Sequence, residues 1–145
     1  MKICYFYPSS AEIEYPEIKE LAPSSAIMAI DVDTFPKNAS IALNFAVACL
    51  PDEAFCLVRV DPYFEGKKKD SIINEYQPFR SKEISSTSGI SISRYSVIEP
   101  FSALEEGLYT FKMYIFREHP GINTDDLTCA DDTSECSVLI SRGLL

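Results

Sequence analysis

The stretch Leu108-Tyr109-Thr110-Phe111-Lys112-Met113-Tyr114-Ile115-Phe116 decides the fold of this chain. Its side chains alternate in character, with Tyr109, Phe111, Met113 and Ile115 on one face and Thr110, Lys112 and Tyr114 on the other. Successive side chains of a β-strand point to opposite faces of the sheet, so a period of two predicts a strand with one buried face.

The same alternation recurs on both sides of this stretch. From Ser40 to Cys49 every second residue is apolar, which predicts a half-buried strand. A turn at Pro51-Asp52 separates it from a second strand expected over Phe55 to Val60, and the two strands together favour an antiparallel hairpin. The residues predicted to be buried are Ile41, Phe45, Val47, Leu57, Phe111, Met113, Ile115 and Val138.

The rest of the chain carries shorter signals. Further strands are expected at Lys2 to Tyr7, at Ala26 to Val32, at Ile90 to Val97 with a bulge where the alternation changes phase, and at Cys136 to Ile140. Turns are expected at Asp61-Pro62 and Glu65-Gly66, and residues 67–89 are expected to form short edge strands or a long excursion.

Helical signals are brief. Tyr15 to Leu21 is expected to form one or two turns, with Pro16 in the first turn, and Ser102 and Glu105 have the spacing of a capping box. About seven short strands with turns between them predict an all-β fold, an antiparallel two-sheet sandwich formed by residues 1–145 as a single domain.

One local motif favours a particular kind of sandwich. The run Glu105-Glu106-Gly107-Leu108-Tyr109-Thr110-Phe111 resembles the tyrosine corner of immunoglobulin-like sandwiches. The resemblance implies that the Tyr109 hydroxyl bonds to the chain upstream and that Phe111 stands where such domains have their second core cysteine. The chain has no tryptophan and no cysteine pair of inter-sheet spacing, so the resemblance supports an immunoglobulin-like architecture without a specific family.

The charge balance restricts the class of partner. In 145 residues the chain has 13 basic and 22 acidic side chains, for a net charge of −9. Nucleic-acid binders concentrate Lys and Arg on one face, and here the one basic run, Lys67-Lys68-Lys69, is answered by Glu65 and Asp70. We therefore expect no nucleic-acid partner, and the acidity favours a protein with a basic surface.

The chain carries no apolar run near the roughly 20 residues of a membrane span, and no secretory signal, so a cytoplasmic location is expected. The five cysteines agree with a reducing compartment. Cys4, Cys49 and Cys56 lie in apolar runs and are expected to be buried thiols, whereas Cys129 and Cys136 flank a polar loop and have the option of pairing.

No catalytic constellation stands out. His119 is the sole histidine, and a catalytic zinc site usually takes two or three. No glycine-rich phosphate loop is present. We therefore expect no catalytic residues, no metal and no cofactor, and the chain leans away from being an enzyme.

The segment from Arg117 to Glu135 is the candidate binding site. It is far longer than the two to five residues of a usual hairpin loop, and it has no Lys or Arg after Arg117. The expected binding residues are Asp125, Asp126, Asp131, Asp132 and Glu135. A mobile solvated loop and a calcium site are the alternatives, although the spacing is not that of an EF-hand.

Three functions remain open. The first is a non-catalytic protein–protein interaction domain, such as an adaptor, an inhibitor or an immunity-type protein. The second is a small-ligand or carbohydrate-binding module, for which Tyr63, Phe64, Tyr76 and Phe79 are the candidate aromatic cluster. The third is a hydrolase, which requires His119 or a carboxylate pair in a cleft. The oligomeric state is not indicated by the sequence.

Overall fold

A computed structural model describes residues 1–10, 26–49, 56–70 and 79–144, with the backbone alone for residues 56 and 79–82. Nine strands are present in these ranges: β1 (Lys2–Ser10), β2 (Ala29–Asp31), β3 (Lys37–Cys49), β4 (Cys56–Phe64), β5 (Lys67–Lys68), β6 (Phe79–Ser85), β7 (Ser91–Ala103), β8 (Gly107–Arg117) and β9 (Asp132–Ser141). The helix predicted over Tyr15 to Leu21 and the turn predicted at Pro51-Asp52 lie outside the described residues.

The strands form two sheets that bury a common core. The four-stranded sheet has the order β1-β3-β7-β6, and the five-stranded sheet has the order β2-β9-β8-β4-β5. All pairs are antiparallel except β2 with β9, which is parallel. The predicted all-β sandwich is confirmed. We call the end of the sandwich that carries Arg117 and Asp132 the upper end, and the end that carries Gly107 and Ser141 the lower end.

The predicted hairpin of β3 and β4 is wrong. β3 pairs with β1 and β7 in the four-stranded sheet, whereas β4 pairs with β5 and β8 in the five-stranded sheet. The chain therefore crosses between the sheets after Cys49. A period of two identifies which face of a strand is buried, but it does not identify the strand that shares its hydrogen bonds.

The core contains the predicted residues. All eight side chains expected to be buried are buried, and most belong to one cluster between the sheets. Leu57 is buried but does not belong to this cluster. It lies opposite Phe116 on the side of the five-stranded sheet that faces away from the core. Both side chains are buried there, which shows that part of this side is covered.

The central strand β3 is buried more fully than its alternation predicts. Residues 41–47 are buried on both faces. On the face away from the core the amide of Asn44 donates to Ser9 Oγ at 2.8 Å and accepts from Ser96 Oγ at 3.3 Å, which satisfies its polar atoms across three strands. The small residues Ala42 and Ala46 complete this face, and both are buried.

Two further strand predictions need correction. Asp61-Pro62 is not a turn, because β4 continues through it to the turn at Glu65-Gly66. On the β5 side, β4 is paired at Tyr63 and Phe64. The missing N–H of Pro62 therefore interrupts no strand pairing with β5. The predicted bulge in β7 lies instead in β6, since consecutive residues of β7 pair with Arg80 and Lys82.

The helical content is smaller than predicted. The residues after Ser102 form a bend and not a helical turn. Within the described ranges the helical element is a single 3-10 turn, Leu127–Cys129, and no helix there is long and apolar enough to cross a membrane.

The segment that joins β7 of one sheet to β8 of the other is followed by a buried tyrosine, Tyr109. The Tyr109 hydroxyl donates to the backbone oxygen of Glu105 at 2.9 Å, as the motif predicts. Its ring packs against Phe64 and Phe101, with centroids 4.7 and 5.9 Å away. Gly107 has a φ of +154°, and a Cβ there would lie 2.6 Å from the Phe64 ring. Glycine is therefore required for this close approach.

Removing the Tyr109 hydroxyl tests this corner. We expect Tyr109→Phe to lower the free energy of unfolding by about 1–2 kcal/mol, because a buried hydroxyl loses its acceptor bond. At this chain length each kcal/mol shifts Tm by about 4 °C. Tyr5→Phe is the control, since Tyr5 is 39% exposed, and its cost should stay below about 0.5 kcal/mol. Equal Tm values for Tyr109→Phe and the parent would contradict the corner.

Candidate functional site

The acidic segment is shorter as a loop than the sequence predicts. β8 continues to Arg117 and β9 begins at Asp132, so the loop comprises residues 118–131. Asp132 and Glu135 belong to β9 and not to the loop, because Asp132 already pairs with Ile115 and Glu135 with Lys112.

Arg59 fixes the loop over the five-stranded sheet. Its Nη1 donates to the backbone oxygen of Thr124 at 3.0 Å and to Asp125 Oδ1 at 3.2 Å. Its Nε donates to Asp61 Oδ1 at 2.9 Å, and the Asp61 side chain is almost fully buried. The hydrogen bond from Arg59 to Asp61 raises the pKa of Arg59, so the guanidinium remains charged. A strand side chain thus holds the loop against the sheet.

The loop is also bonded within itself. Asp126 caps the 3-10 turn, because its Oδ1 accepts from the backbone N of Thr128 at 3.1 Å and from the Thr128 hydroxyl at 2.6 Å. Hydrogen bonds from Thr128 and then from the Cys129 thiol lower the pKa of Asp126, which keeps it ionised. Asn123 Oδ1 accepts from the backbone N of Asp125 at 3.0 Å.

Asp132 performs a structural task. Its Oδ2 accepts from the backbone N of Ile3 at 2.8 Å and lies 3.6 Å from Lys2 Nζ, while its Oδ1 accepts from the backbone N of Thr133 at 3.0 Å. Burial alone would raise the pKa of Asp132, but the two N–H groups and the Lys2 charge outweigh it, and the pKa is lowered. This carboxylate fastens β1 to β9 across the two sheets.

The predicted acids therefore divide by role. Asp125, Asp126 and Asp131 lie in the loop, where all three are exposed, and the backbone N of Asp131 donates to Ile115 O at 2.8 Å. Glu135 is exposed on β9. The structure brings these four to the upper part of one sheet, while Asp132 serves the fold.

The outward side of β4, β8 and β9 lies below the loop in the same sheet. The outward side chains of β4, β8 and β9 stand directly opposite one another in rows, which from the lower end upward are Leu108–Leu139, Tyr63–Thr110–Ser137, Asp61–Lys112–Glu135, Arg59–Tyr114–Thr133 and Leu57–Phe116. We call the first four rows the outer face.

The middle of the outer face is bonded internally. Lys112 Nζ lies 4.6 Å from the centre of the Tyr63 ring, a cation–π geometry, and the hydroxyls of Thr110 and Ser137 are 2.7 Å apart. Burial first, and then the neighbouring Tyr63 and Asp61, raise the pKa of Tyr114, so its phenol stays protonated.

The aromatic cluster expected for a carbohydrate module does not form as predicted. Phe64 is buried in the core, Tyr76 lies outside the described residues, and only the backbone of Phe79 is described. Of the predicted residues whose side chains the structure describes, Tyr63 reaches the outer face, and Tyr114 is its aromatic neighbour there.

Metal-binding groups do not converge in the described part of the chain. There, no three His, Cys, Asp or Glu side chains are grouped so as to hold a metal ion. His119 is exposed, and its Nδ1 lies 3.0 Å from the backbone oxygen of Pro120. This arrangement gives the calcium and hydrolase alternatives no support.

The cysteine predictions are partly wrong. Cys4 is exposed, because it sits at an irregularity between Ile3 and Tyr5, and Cys49 is half-buried. The side chain of Cys56 is outside the described residues. Cys129 and Cys136 are free thiols. Burial, helped by Glu135, raises the pKa of Cys136 to about 12, and the hydrogen bond to Asp126 raises the pKa of Cys129.

Asp132→Asn tests the fastening of β1. We expect it to lower the free energy of unfolding by about 1–2 kcal/mol at pH 7, because charge-assisted hydrogen bonds are lost. A lowered native pKa stabilises the fold above the unfolded pKa of about 3.9, and this contribution is lost as the pH falls through the native pKa. The loss of unfolding free energy caused by Asp132→Asn should therefore be smaller at pH 3 than at pH 7.

Urea unfolding at pH 7 and pH 3 measures this difference, with the exposed Asp131→Asn as control, for which the cost should stay below about 0.5 kcal/mol at both values. An Asp132→Asn cost that is equal at both pH values would show that its charge has no structural role.

Thiol alkylation tests the burial of the cysteines. At pH 8 iodoacetamide should modify Cys4 first, Cys129 more slowly and Cys136 last, because the thiolate is the reacting species and the raised pKa values reduce it. Mass spectrometry of the digested protein gives the order, and all sites should react alike in urea. Native Cys136 reacting as fast as Cys4 would refute its inward position.

Comparison with protein-family models, with curated proteins and with solved structures finds no match to this chain. The loop and the outer face are therefore the features from which a function can be inferred.

Proposed function

We propose that this chain is a non-catalytic protein–protein interaction domain, an adaptor, inhibitor or immunity-type protein, with an immunoglobulin-like architecture. It binds a partner with a basic surface through the loop of residues 118–131 and the adjoining Glu135. We further propose a cytoplasmic location, on the ground of the cysteine usage in the sequence.

The strand order supports the immunoglobulin-like assignment. In such sandwiches the seven strands A to G form the sheets ABED and CFG. Taking β1, β3, β4, β6, β7, β8 and β9 as A to G reproduces both orders, with β2 and β5 as added edge strands. Tyr109 then lies near the start of strand F, and its bond to Glu105 is the one that the tyrosine corner makes.

The observation that carries the proposed binding function is the loop's combination of anchoring and exposure. Arg59 and the Asp126 cap hold the loop, yet the carboxylates of Asp125, Asp126 and Asp131 face solvent. An anchored loop loses less conformational entropy on binding than a mobile one. Its clustered charge attracts a basic partner during diffusion, which raises the association rate.

The position of the loop adds support. It joins β8 to β9, which correspond to strands F and G, and in variable immunoglobulin domains the F–G loop is one of the antigen-binding loops. The likeness concerns position alone, since fold does not imply function.

The small-ligand alternative rests on Tyr63 and Tyr114, which share the outer face. A ring that stacks on a sugar needs an open face, and Lys112 already lies over the Tyr63 ring. A bound sugar would have to displace this ammonium, so the outer face favours a protein partner over a stacked sugar.

Charge removal tests the proposed function. We expect Asp131→Asn with Glu135→Gln to slow association with the partner about threefold to tenfold at low salt, because steering charges are lost while folding contacts remain. The matched control is Asp33→Asn with Glu83→Gln, which removes the same charge from exposed residues outside the loop and outside β4, β8 and β9.

The partner is first captured from host extract on the immobilised chain, and stopped-flow rates are then measured at low salt, about 50 mM, and at about 300 mM. The parent and the control should have equal association rates. The difference in association rate between the parent and the loop variant should be smaller at high salt. A loop variant that associates as fast as the parent at both salt concentrations would overturn the proposed role of the loop.

A further inference from the structure

Two leucines interrupt the polar character of the outer face. Leu108 and Leu139 stand directly opposite each other on β8 and β9, and they are 52% and 38% exposed. The other outward side chains of β9 are polar, and those of β8 are polar up to the covered Phe116. Both strands therefore break their alternation at the same opposed pair.

Further exposed apolar residues lie close to this pair along the backbone. The exposed Met28 precedes β2, and its backbone oxygen accepts from the backbone N of Leu139 at 2.9 Å. Leu104 and Leu144 are also exposed, in the segments that adjoin the lower ends of β8 and β9. Single exposed leucines are common, but a concentration at one corner of a sheet is typical of a contact surface.

The leucine pair and the acidic loop belong to one continuous surface. Leu108 and Tyr114 are six positions apart in β8, which corresponds to about 20 Å along the strand. A standard protein interface covers about 800 Å² on each partner, which is a patch about 30 Å across. A single partner is therefore large enough to contact both ends.

The rows between the two ends need little rearrangement for such a contact. Lys112 is placed over Tyr63, Thr110 is bonded to Ser137, and the buried Asp61 is paired with Arg59. Because these polar groups already have partners within the sheet, covering them leaves few of them unsatisfied. The outer face combines Tyr63, Tyr114 and Arg59, which are residue types enriched at interfaces, with polar groups that are already bonded within the sheet.

We infer that the outer face as a whole is the binding surface, and that the partner is a basic protein with an apolar side chain about 20 Å from its basic patch. The apolar side chain packs on Leu108 and Leu139 while the basic patch meets the loop. This inference rests on the proposed function and names the binding mode.

The charges argue for this occupant over the others. A second copy of the chain would bring another net charge of −9 and a second acidic loop, and anionic lipid or nucleic acid would be repelled by the same carboxylates. A protein is the one class that combines apolar side chains with a matching positive charge.

Site-specific photo-crosslinking in the host tests the surface. The photoreactive p-benzoylphenylalanine is placed in the full chain by Leu139→p-benzoylphenylalanine, Asp131→p-benzoylphenylalanine and, as control, Ile84→p-benzoylphenylalanine. Ile84 is 61% exposed on the four-stranded sheet. We expect irradiation at Leu139 and at Asp131 to crosslink the same protein, through an apolar segment and a basic segment respectively, and Ile84 to give no crosslink to it.

The outcomes separate this inference from the proposed function. Crosslinking at Asp131 without Leu139 would overturn the extended surface and leave the loop as the binding site. Crosslinking at Ile84 in place of Leu139 would overturn the assignment of the face. Crosslinks to two different proteins at Asp131 and Leu139 would also overturn the inference. The absence of a crosslink at every position would overturn the inference and would count against the proposed function as well.

Affinity gives an independent readout. Leu108→Thr with Leu139→Thr should raise the Kd for the crosslinked protein about tenfold, mainly through faster dissociation. Apolar contacts form after the first encounter of the two proteins, so they affect the dissociation rate more than the association rate. Ile84→Thr with Ile92→Thr is the matched control and should leave Kd unchanged. Equal Kd values for both variants and the parent would exclude the leucine pair from the interface, and circular dichroism confirms that each variant is folded.

Discussion

The two sheets stay together because the inward faces of β3 and β8 meet between them. Phe45 and Phe111 are fully buried in this layer, and the ring of Phe101 packs edge-on against Phe111 at 5.6 Å. The outer face depends on this arrangement, since the residues of β8 that alternate with the buried ones point to the opposite side of the sheet. The outer face includes the other side of β8, whose inward residues Tyr109, Phe111, Met113 and Ile115 belong to the core.

Alternation and local geometry could be predicted from the sequence. The buried face of β8, the hydrogen bond of Tyr109 to Glu105 and the turn at Glu65-Gly66 each depend on residues within a few positions of one another. Pairing across the chain could not be predicted in the same way. β3 and β4 are close neighbours in the sequence but belong to different sheets. The alternation in each strand identifies its buried face, but it does not identify the strand with which it pairs.

The candidate site shows the same limit. The excess of acids in the loop was visible in the sequence, but the role of each acid depends on partners that are distant in the chain. Asp125 faces Arg59, and Asp132 faces the backbone of Ile3, so one is a loop anchor and the other a structural fastening. The opposition of Leu108 and Leu139 depends on the register of β8 and β9, which composition does not reveal.

The fastening of Ile3 by Asp132 joins groups that are 129 positions apart in the chain. During synthesis the first strand emerges long before the carboxylate that secures it, and the parallel pairing of β2 with β9 must wait equally long. Contacts of such long range make a fold slow to form, since the loop-closure entropy is lost before the contacts offset it. The hydrogen bond to Ile3 and the pairing of β2 therefore form only after β9 has been synthesised, whereas β1 is able to pair with β3 earlier.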